Sequence, residues 1–328
     1  MNMNMKIKLV QLDGAIMNLA LSKLATWHKH AGDKVGLTWC DRGDYRKHGF
    51  TLGMPNPDRI YYSAVFSWTA EAFKQQRRLD TAEIICGGYP FNDVKLPLSA
   101  EHAIPAYELW GVDYSLGYTS RGCIRNCGFC IVPSKEGNIY DYESVEHFHH
   151  PGHKKLILMD NNFFASPKWR ENLSYIHENG LKVNFNQGLD LRLITEEIAK
   201  LLKETKCMNH NFNERKYYGA FDSLSNETQI RKGLQNLLDA GIKANSIAIF
   251  VLVGYNSTEA EDFKRCSILW DEYHVHPFVM KYNKRNDSEF LNQLARWANR
   301  PAARRNHTFN EYCQHRIGRT FNIKGMET

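Results

Sequence analysis

Cys123, Cys127 and Cys130 stand in the stretch Tyr118-Thr-Ser-Arg-Gly-Cys-Ile-Arg-Asn-Cys-Gly-Phe-Cys, with the spacing C-x3-C-x2-C. A span this short keeps three thiols near one another, so their sulfurs can converge on one point. Thiolates that close repel unless a metal centre takes their charge, and Arg121 and Arg125 flank them with positive charge that favours the thiolate form. Gly122 and Gly128 let the backbone turn tightly around whatever is held. A structural zinc normally takes four protein ligands, commonly from two C-x2-C pairs. The other cysteines, Cys40, Cys86, Cys207, Cys266 and Cys313, are isolated. An iron–sulfur cluster is usually held by four cysteines, so three in a row point to a cluster with one iron open to a ligand or substrate. Zinc completed by a distant His or Cys, and three core cysteines that bind nothing, are the alternatives at this level.

The elements that must carry such a loop can be read from periodicity. Strand-length apolar runs at 115–119, 155–159, 182–186, 216–221, 246–253 and 275–281 alternate with helical patterns at 143–149, 167–179, 195–204, 226–240, 257–270 and 287–297. Ser166-Pro167 starts one helix, and Asn179-Gly180 and Ala240-Gly241 stop two others. Six strand–helix units are too few for a closed eight-fold barrel. Ahead of them, strands at 6–10, 35–39, 59–65 and 83–86 alternate with helices at 17–30 and 69–78, which reads as a small parallel α/β layer over 1–100. The expected fold is therefore α/β. A small Rossmann-like parallel domain (1–100) and a linker (101–114) precede a partial (β/α)6 TIM-like barrel (115–297). A basic extension (298–328) follows.

Composition narrows the class. The chain has 328 residues, 43% hydrophobic and 24% charged, as a soluble globular protein would. No run long enough to span a membrane is present, and the N-terminus lacks a signal-peptide pattern. Eight cysteines without a small disulfide framework suit a reducing cytoplasm. The net charge of +6 weakly favours an anionic partner.

C-x3-C-x2-C with the aromatic Phe129 before the third cysteine resembles the signature of the radical S-adenosylmethionine superfamily. The resemblance implies that Cys123, Cys127 and Cys130 hold a [4Fe–4S] cluster whose fourth iron is chelated by S-adenosylmethionine. It also implies a low-potential electron donor of the flavodoxin or ferredoxin type, and cleavage of the cofactor to a 5′-deoxyadenosyl radical that takes hydrogen from a substrate. Residues 1–100 resemble the cobalamin-binding-like domain of one branch, with Gly87-Gly88-Tyr89-Pro90 as its end-of-strand turn. The cobalt-ligating Asp-x-His-x-x-Gly is missing, and Asp44 to Gly49 has those residue types at the wrong spacing, so the shape is expected without that mode of binding.

The same resemblance places the cofactor-binding candidates. Phe129 matches the position whose backbone approaches the adenine. Asp160, Asn161 and Asn162 stand where the family has Gly-Gly-Glu, without the glycines. Asp222 and Ser223 end the fourth strand, at the place of ribose or carboxylate contacts, and Gly254 lies where a backbone passes the adenine. Gln187 and Arg192 follow the third strand, and an arginine there can pair with a carboxylate or phosphate. Helix caps, turn glycines and solvated arginines are the plain alternatives.

Lys281, Tyr282 and Asn283 are substrate-side candidates by position. Arg304 and Arg305 belong to a tail in which arginines interleave with Trp297, Phe309 and Tyr312, a composition able to grip phosphates and stack bases. A nucleobase, free or in DNA, is the expected substrate, and the compact chain also resembles phage radical enzymes that modify thymidine in viral DNA. The rival expectations are a cobalamin-dependent methyltransferase or methylthiotransferase-like enzyme, and a zinc-stabilised nucleic-acid-binding module without catalysis.

Overall fold

Parallel strands buried on both faces read as near-continuous apolar runs, and two sets of such strands build this protein. The computed structural model describes residues 4–40, 55–75, 82–91, 94–282 and 288–323. It divides into two compact units, Met1–Gly117 with Glu146–His153, and Tyr118–Val145 with Lys154–Thr328.

In the first unit, β1 (Lys6–Gln11), β2 (Lys34–Trp39), β3 (Arg59–Ser63) and β4 (Glu83–Gly87) form a parallel sheet in the order β2-β1-β3-β4. Central β1 buries all but its first residue. At its end Gln11 is 1% exposed and fastens the following loop, donating to Ile16 O (2.8 Å) and accepting from Asn18 N (2.9 Å). Asn18 then caps the helix Leu19–His30 by accepting from Leu21 N.

The stretch expected to be a linker belongs to this unit instead. It follows the short helix Leu98–Glu101 and carries another, Tyr107–Trp110, whose Trp110 Nε1 donates to Gln11 Oε1 at 2.9 Å. Helices of about one turn leave no periodicity to read. The strand β5 (Tyr114–Gly117), expected within the barrel, also sorts with the first unit.

The second unit opens with a short antiparallel pair, β6 (Ser120–Arg121) and β7 (Tyr140–Asp141), which brackets the cysteine loop. Parallel pairing then joins β8 (Lys155–Leu158), β9 (Lys182–Phe185) and β10 (Lys206–Cys207), and separately β11 (Tyr217–Ala220), β12 (Ile247–Val253) and β13 (His276–Lys281). A parallel bridge between Leu189 and Gly219 links the two sets. Helices Trp169–Glu178, Glu196–Glu204, Glu227–Asp239, Glu259–Ser267 and Glu289–Ala298 alternate with these strands and turn their apolar stripes inward. The fold is thus a small parallel α/β sheet followed by a partial (β/α)6 barrel.

After the barrel come two helices, Pro301–Asn306 and Phe309–Ile317. Phe309 is 1% exposed and packs on Phe263 (5.4 Å) and Phe290 (5.2 Å), and Trp297 is buried beside it. These two aromatics of the basic tail are therefore core residues. Among the described residues no helix is long and apolar enough to cross a membrane.

One glycine reports how tightly the barrel is wrapped. Gly233, in the helix Glu227–Asp239, lies so close to the turn Leu191–Leu193 that a Cβ would run into the Leu191 carbonyl. Alanine in a helix interior ordinarily gains about 1 kcal/mol over glycine. Here overpacking against backbone should reverse the sign, and Gly233→Ala is expected to destabilise by about 1–3 kcal/mol, read as a lowered midpoint in urea.

Candidate functional site

The cysteine loop is held at both ends by carboxylates, one buried and one half-buried. Asp160, just beyond β8, is 3% exposed and accepts from Thr119 N (3.1 Å), Thr119 Oγ1 (2.6 Å), Ser120 N (2.6 Å) and Ser120 Oγ (2.8 Å). Burial pushes its carboxyl above the usual range, and these hydrogen bonds oppose the shift. Glu136 closes the other end. It pairs with Arg121 (2.7 Å), accepts from Gly122 N (3.0 Å) and receives Asn161 Nδ2 (2.8 Å). Gly122 has φ +74°, and a Cβ there would meet the Asn138 carbonyl, so only glycine fits.

Within this frame Cys123, Cys127 and Cys130 all line one cavity of about 610 Å³ at the C-terminal ends of the barrel strands. Arg125 N donates to Cys123 Sγ at 3.4 Å and Val132 N to Cys130 Sγ at 3.5 Å. Burial pushes the Cys127 thiol up, and the Arg192 guanidinium opposes this. The expected role of Arg121 and Arg125 in stabilising thiolates is corrected here. Arg121 is bound to Glu136 and Arg125 to Asp190 (2.9 Å), and the cation acting on Cys127 is Arg192. Cys207, Cys266 and Cys313 are buried, and burial holds Cys266 up at about 12 and Cys313 at about 11, as befits inert core thiols.

The remaining wall comes from the candidates after each strand. Phe129, Asn161, Asn162, Gln187, Arg192, Asp222 and Ser223 all line the cavity. Phe129 packs edge-on against Tyr255, with ring centroids 5.5 Å apart. Asn162 Nδ2 donates to Asp190 (3.1 Å), while its Oδ1 is buried without a hydrogen-bond partner. Asp222 accepts from Leu252 N (3.1 Å), and burial raises its carboxyl. Ser223 accepts from Ser225 N (3.2 Å).

Two candidates do not line the cavity. Asp160 spends its oxygens on Thr119 and Ser120, and Gly254, with φ +75°, donates its N–H to Asp262 (2.9 Å). Lys281 is also away from it, its Nζ on Asn292 Oδ1 (2.5 Å). Tyr282 stacks obliquely on Tyr255 at 4.7 Å. Asn283 lies outside the described residues, as does the stretch Asp44 to Gly49. Arg304 and Arg305 line a different cavity, and Arg304 is only 5% exposed, so it cannot lie on a surface that grips a polynucleotide backbone.

Sequence reasoning gave no part to Glu136, Tyr255, Asp262 or Arg265. Arg265 is fully buried, donates to Phe221 O (2.8 Å) and pairs with Asp262, tying the ends of β11 and β12 together. Glu136, Tyr255 and the Arg265 contact with Phe221 act over long separations, whereas the Asp262–Arg265 pair at i,i+3 was a local signal in the sequence.

The donor set suits an iron–sulfur cluster with an open iron. Among the described residues no three His, Cys, Asp or Glu side chains form a single-ion site, which corrects the expectation of sulfurs meeting at one point. A cluster takes each thiolate on a different iron, so separated sulfurs on one wall are compatible with it. The orphaned Asn162 Oδ1 offers an acceptor for an ammonium group, and Arg192 and Asp222 offer charge and an acceptor on the facing wall.

No family model matches the chain. Over 125 residues it is 27% identical to an uncharacterized methyltransferase of Pyrococcus horikoshii, a match covering 34% of this chain and 27% of that protein. Among solved structures it resembles the apo form of the cobalamin-dependent S-adenosylmethionine radical enzyme OxsB, with a TM-score of 0.51 and 15% identity. That match covers 98% of this chain and 57% of the other, so the chain spans about a quarter of the curated relative and little more than half of the structural one. At this identity the likeness is one of fold.

Asp190 joins the loop to the far wall, since Arg125 and Arg192 both pair with it and Asn162 donates to it. Hydrogen bonds from the two arginines, with their charges, hold its carboxyl below the usual range even though burial acts the other way. A depressed folded pKa means stability that is full above the unfolded value, about 3.9, and is lost as pH falls through the folded value. Asp190→Asn should therefore cost about 1–3 kcal/mol at pH 7, discounted for the partly exposed arginines. The gap to the parent should close below about pH 4 in a series of thermal melts.

Proposed function

We propose that this protein is a radical S-adenosylmethionine enzyme. One observation carries the reading: of eight cysteines, the three spaced C-x3-C-x2-C are the ones that line a cavity at the strand ends of a partial barrel, beside an orphaned Asn162 Oδ1. Cys123, Cys127 and Cys130 would hold a [4Fe–4S] cluster. When bound, the cluster would supply the electron that splits S-adenosylmethionine to methionine and a 5′-deoxyadenosyl radical able to take hydrogen from a substrate C–H bond. Asn162 Oδ1 would accept from the amino group, and Arg192 would meet the carboxylate. Asp222 and Ser223 would accept from ribose hydroxyls, and Phe129 would flank the adenine. The half-enclosed cavity would keep other hydrogen donors from the reacting carbon. A low-potential flavodoxin or ferredoxin is the electron donor this chemistry needs.

Anaerobic reconstitution should give a brown protein with about four irons and four sulfides per chain, and dithionite with S-adenosylmethionine should yield 5′-deoxyadenosine. Cys127→Ala should lose colour and product together. A colourless protein carrying one zinc would overturn the proposal.

A second reading, cobalamin-dependent methylation, has its own support. The structural neighbour is described as cobalamin-dependent and the curated relative as a methyltransferase. The first unit also exposes Phe66 and Trp68, stacked at 4.5 Å just beyond β3, and Tyr89 just beyond β4, the strand ends where parallel sheets bind ligands. Titration with hydroxocobalamin separates the readings. Stoichiometric binding would favour methyl transfer, and spectra that do not change would leave the first unit a structural layer.

A further inference from the structure

Toward the N-terminal ends of β9, β11 and β12, and alongside β13, lies a second cavity of about 790 Å³. Asn184 of β9, Tyr218 of β11, Phe250 of β12 and Phe278 of β13 line it, the first three lying earlier in their strand–turn units than the cysteine-cavity residues. Tyr218 and Phe250 stack at 5.8 Å with an interplanar angle of 15°, and Phe278 meets Phe250 edge-on at 5.6 Å. This gives a wall of rings suited to a planar ligand.

The charge of this cavity is one-sided. Lys216, Arg304 and Arg305 line it, and no Asp or Glu does among the described residues. Arg304 lies flat over Trp270 at 4.2 Å, and one of its terminal nitrogens donates to His276 Nδ1 at 2.5 Å. Burial and the nearby Arg304 hold His276 down at about 4, so it accepts this bond as the neutral ring. The other two guanidinium nitrogens, Nε and Nη1, are buried without a hydrogen-bond partner among the described residues. A buried cation without a counter-charge is costly, and replacing it with an apolar group would ordinarily stabilise the fold. Such a group is retained at a cavity wall where a ligand brings the missing charge.

We propose that this lumen cavity binds a small ligand made of a planar ring bearing an oxyanion, a phosphate or a carboxylate, with the oxyanion neutralising Arg304 and Lys216 and the ring lying against Tyr218, Phe250 and Phe278. A cavity of this size holds a small-molecule ligand. Because β9, β11 and β12, or the turns that follow them, contribute to both cavities, the ligand is assigned as the substrate. That assignment rests on the function proposed above, whereas the binding itself does not.

The test is calorimetric titration of the full chain, without cluster or cofactor, using phenyl phosphate, benzoate and neutral benzyl alcohol as probes. One of the two anions should bind at a single site, and whichever binds identifies the oxyanion, while benzyl alcohol should not bind. Arg304→Met and Lys216→Met should each weaken the anion by about ten-fold or more, the loss expected for a hydrogen bond to a charged group. Arg304→Met should also melt at the same temperature as the parent or higher, which a structural arginine would not allow. If that variant fails to fold, Arg304 is structural and the assignment to it is overturned, while Lys216→Met still tests the cavity. Equal affinity in parent and variants, equal binding of benzyl alcohol, or binding only of a short single-stranded oligonucleotide would each overturn the proposal. Iron content and 5′-deoxyadenosine formation are measured separately, so failure here and failure of the proposed function are distinguishable.

Discussion

A carboxylate sealed from water at the base of the cysteine loop is the constraint on which the cysteine rim depends. Asp160 gathers two backbone amides and two hydroxyls from Thr119 and Ser120, and so fixes where the chain leaves β6 toward the cysteines. Its partners are neutral, so burial dominates and its carboxyl is raised. Glu136 and Asp190 are lowered, because each faces arginine. Three carboxylates with different partners thus hold the near end, the far end and the flank of one loop. The arginines beside the cysteines take part in this holding, and the cation that acts on Cys127 is Arg192, itself paired with Asp190.

The barrel places two kinds of chemistry along the same strands. Residues past the strand ends are thiols, amides and carboxylates around the 610 Å³ cavity. Residues within the strands, at every second position, give rings around the 790 Å³ cavity, and its cations come from Lys216 just before β11 and from the helix Pro301–Asn306. The inner face of β13 runs through His276, Phe278 and Met280 to Tyr282, which touches Tyr255 at the rim. Its partial exposure, 38% at Phe278 and 41% at Met280, marks an edge where the lumen opens. An open barrel can therefore admit a substrate at its side while the cysteine loop occupies its rim.

In the first unit, the same strand-end logic operates without a charged cluster. Gln11 and Asp13 use their side chains to shape the turns after β1 and β3. Asp13 accepts from Val65 N (2.7 Å) and Phe66 N (3.0 Å), and this presents Phe66 and Trp68 outward. Backbone groups that a turn leaves unpaired are thereby satisfied, and the apolar rings stay exposed.

By itself the sequence determined the cysteine spacing, the alternation of strands and helices, and the strand-end positions of Asn161, Asn162, Asp222 and Ser223. These features repeat over a few residues, so periodicity and local chemistry reveal them. The one-turn helices at Leu98–Glu101 and Tyr107–Trp110 were beyond its reach, because they are held by contacts far along the chain and carry no repeat. Tertiary structure alone decided that Asp160 clamps Thr119 and Ser120, since these partners lie about forty residues earlier. It also decided that Arg304, one of several arginines in a basic tail, is buried over Trp270 while Arg305 beside it is exposed. Adjacent residues on a helix point about 100° apart, so one arginine can meet the core and the next can meet water. Charge in a sequence states which groups are present, and only packing states which of them lack a partner.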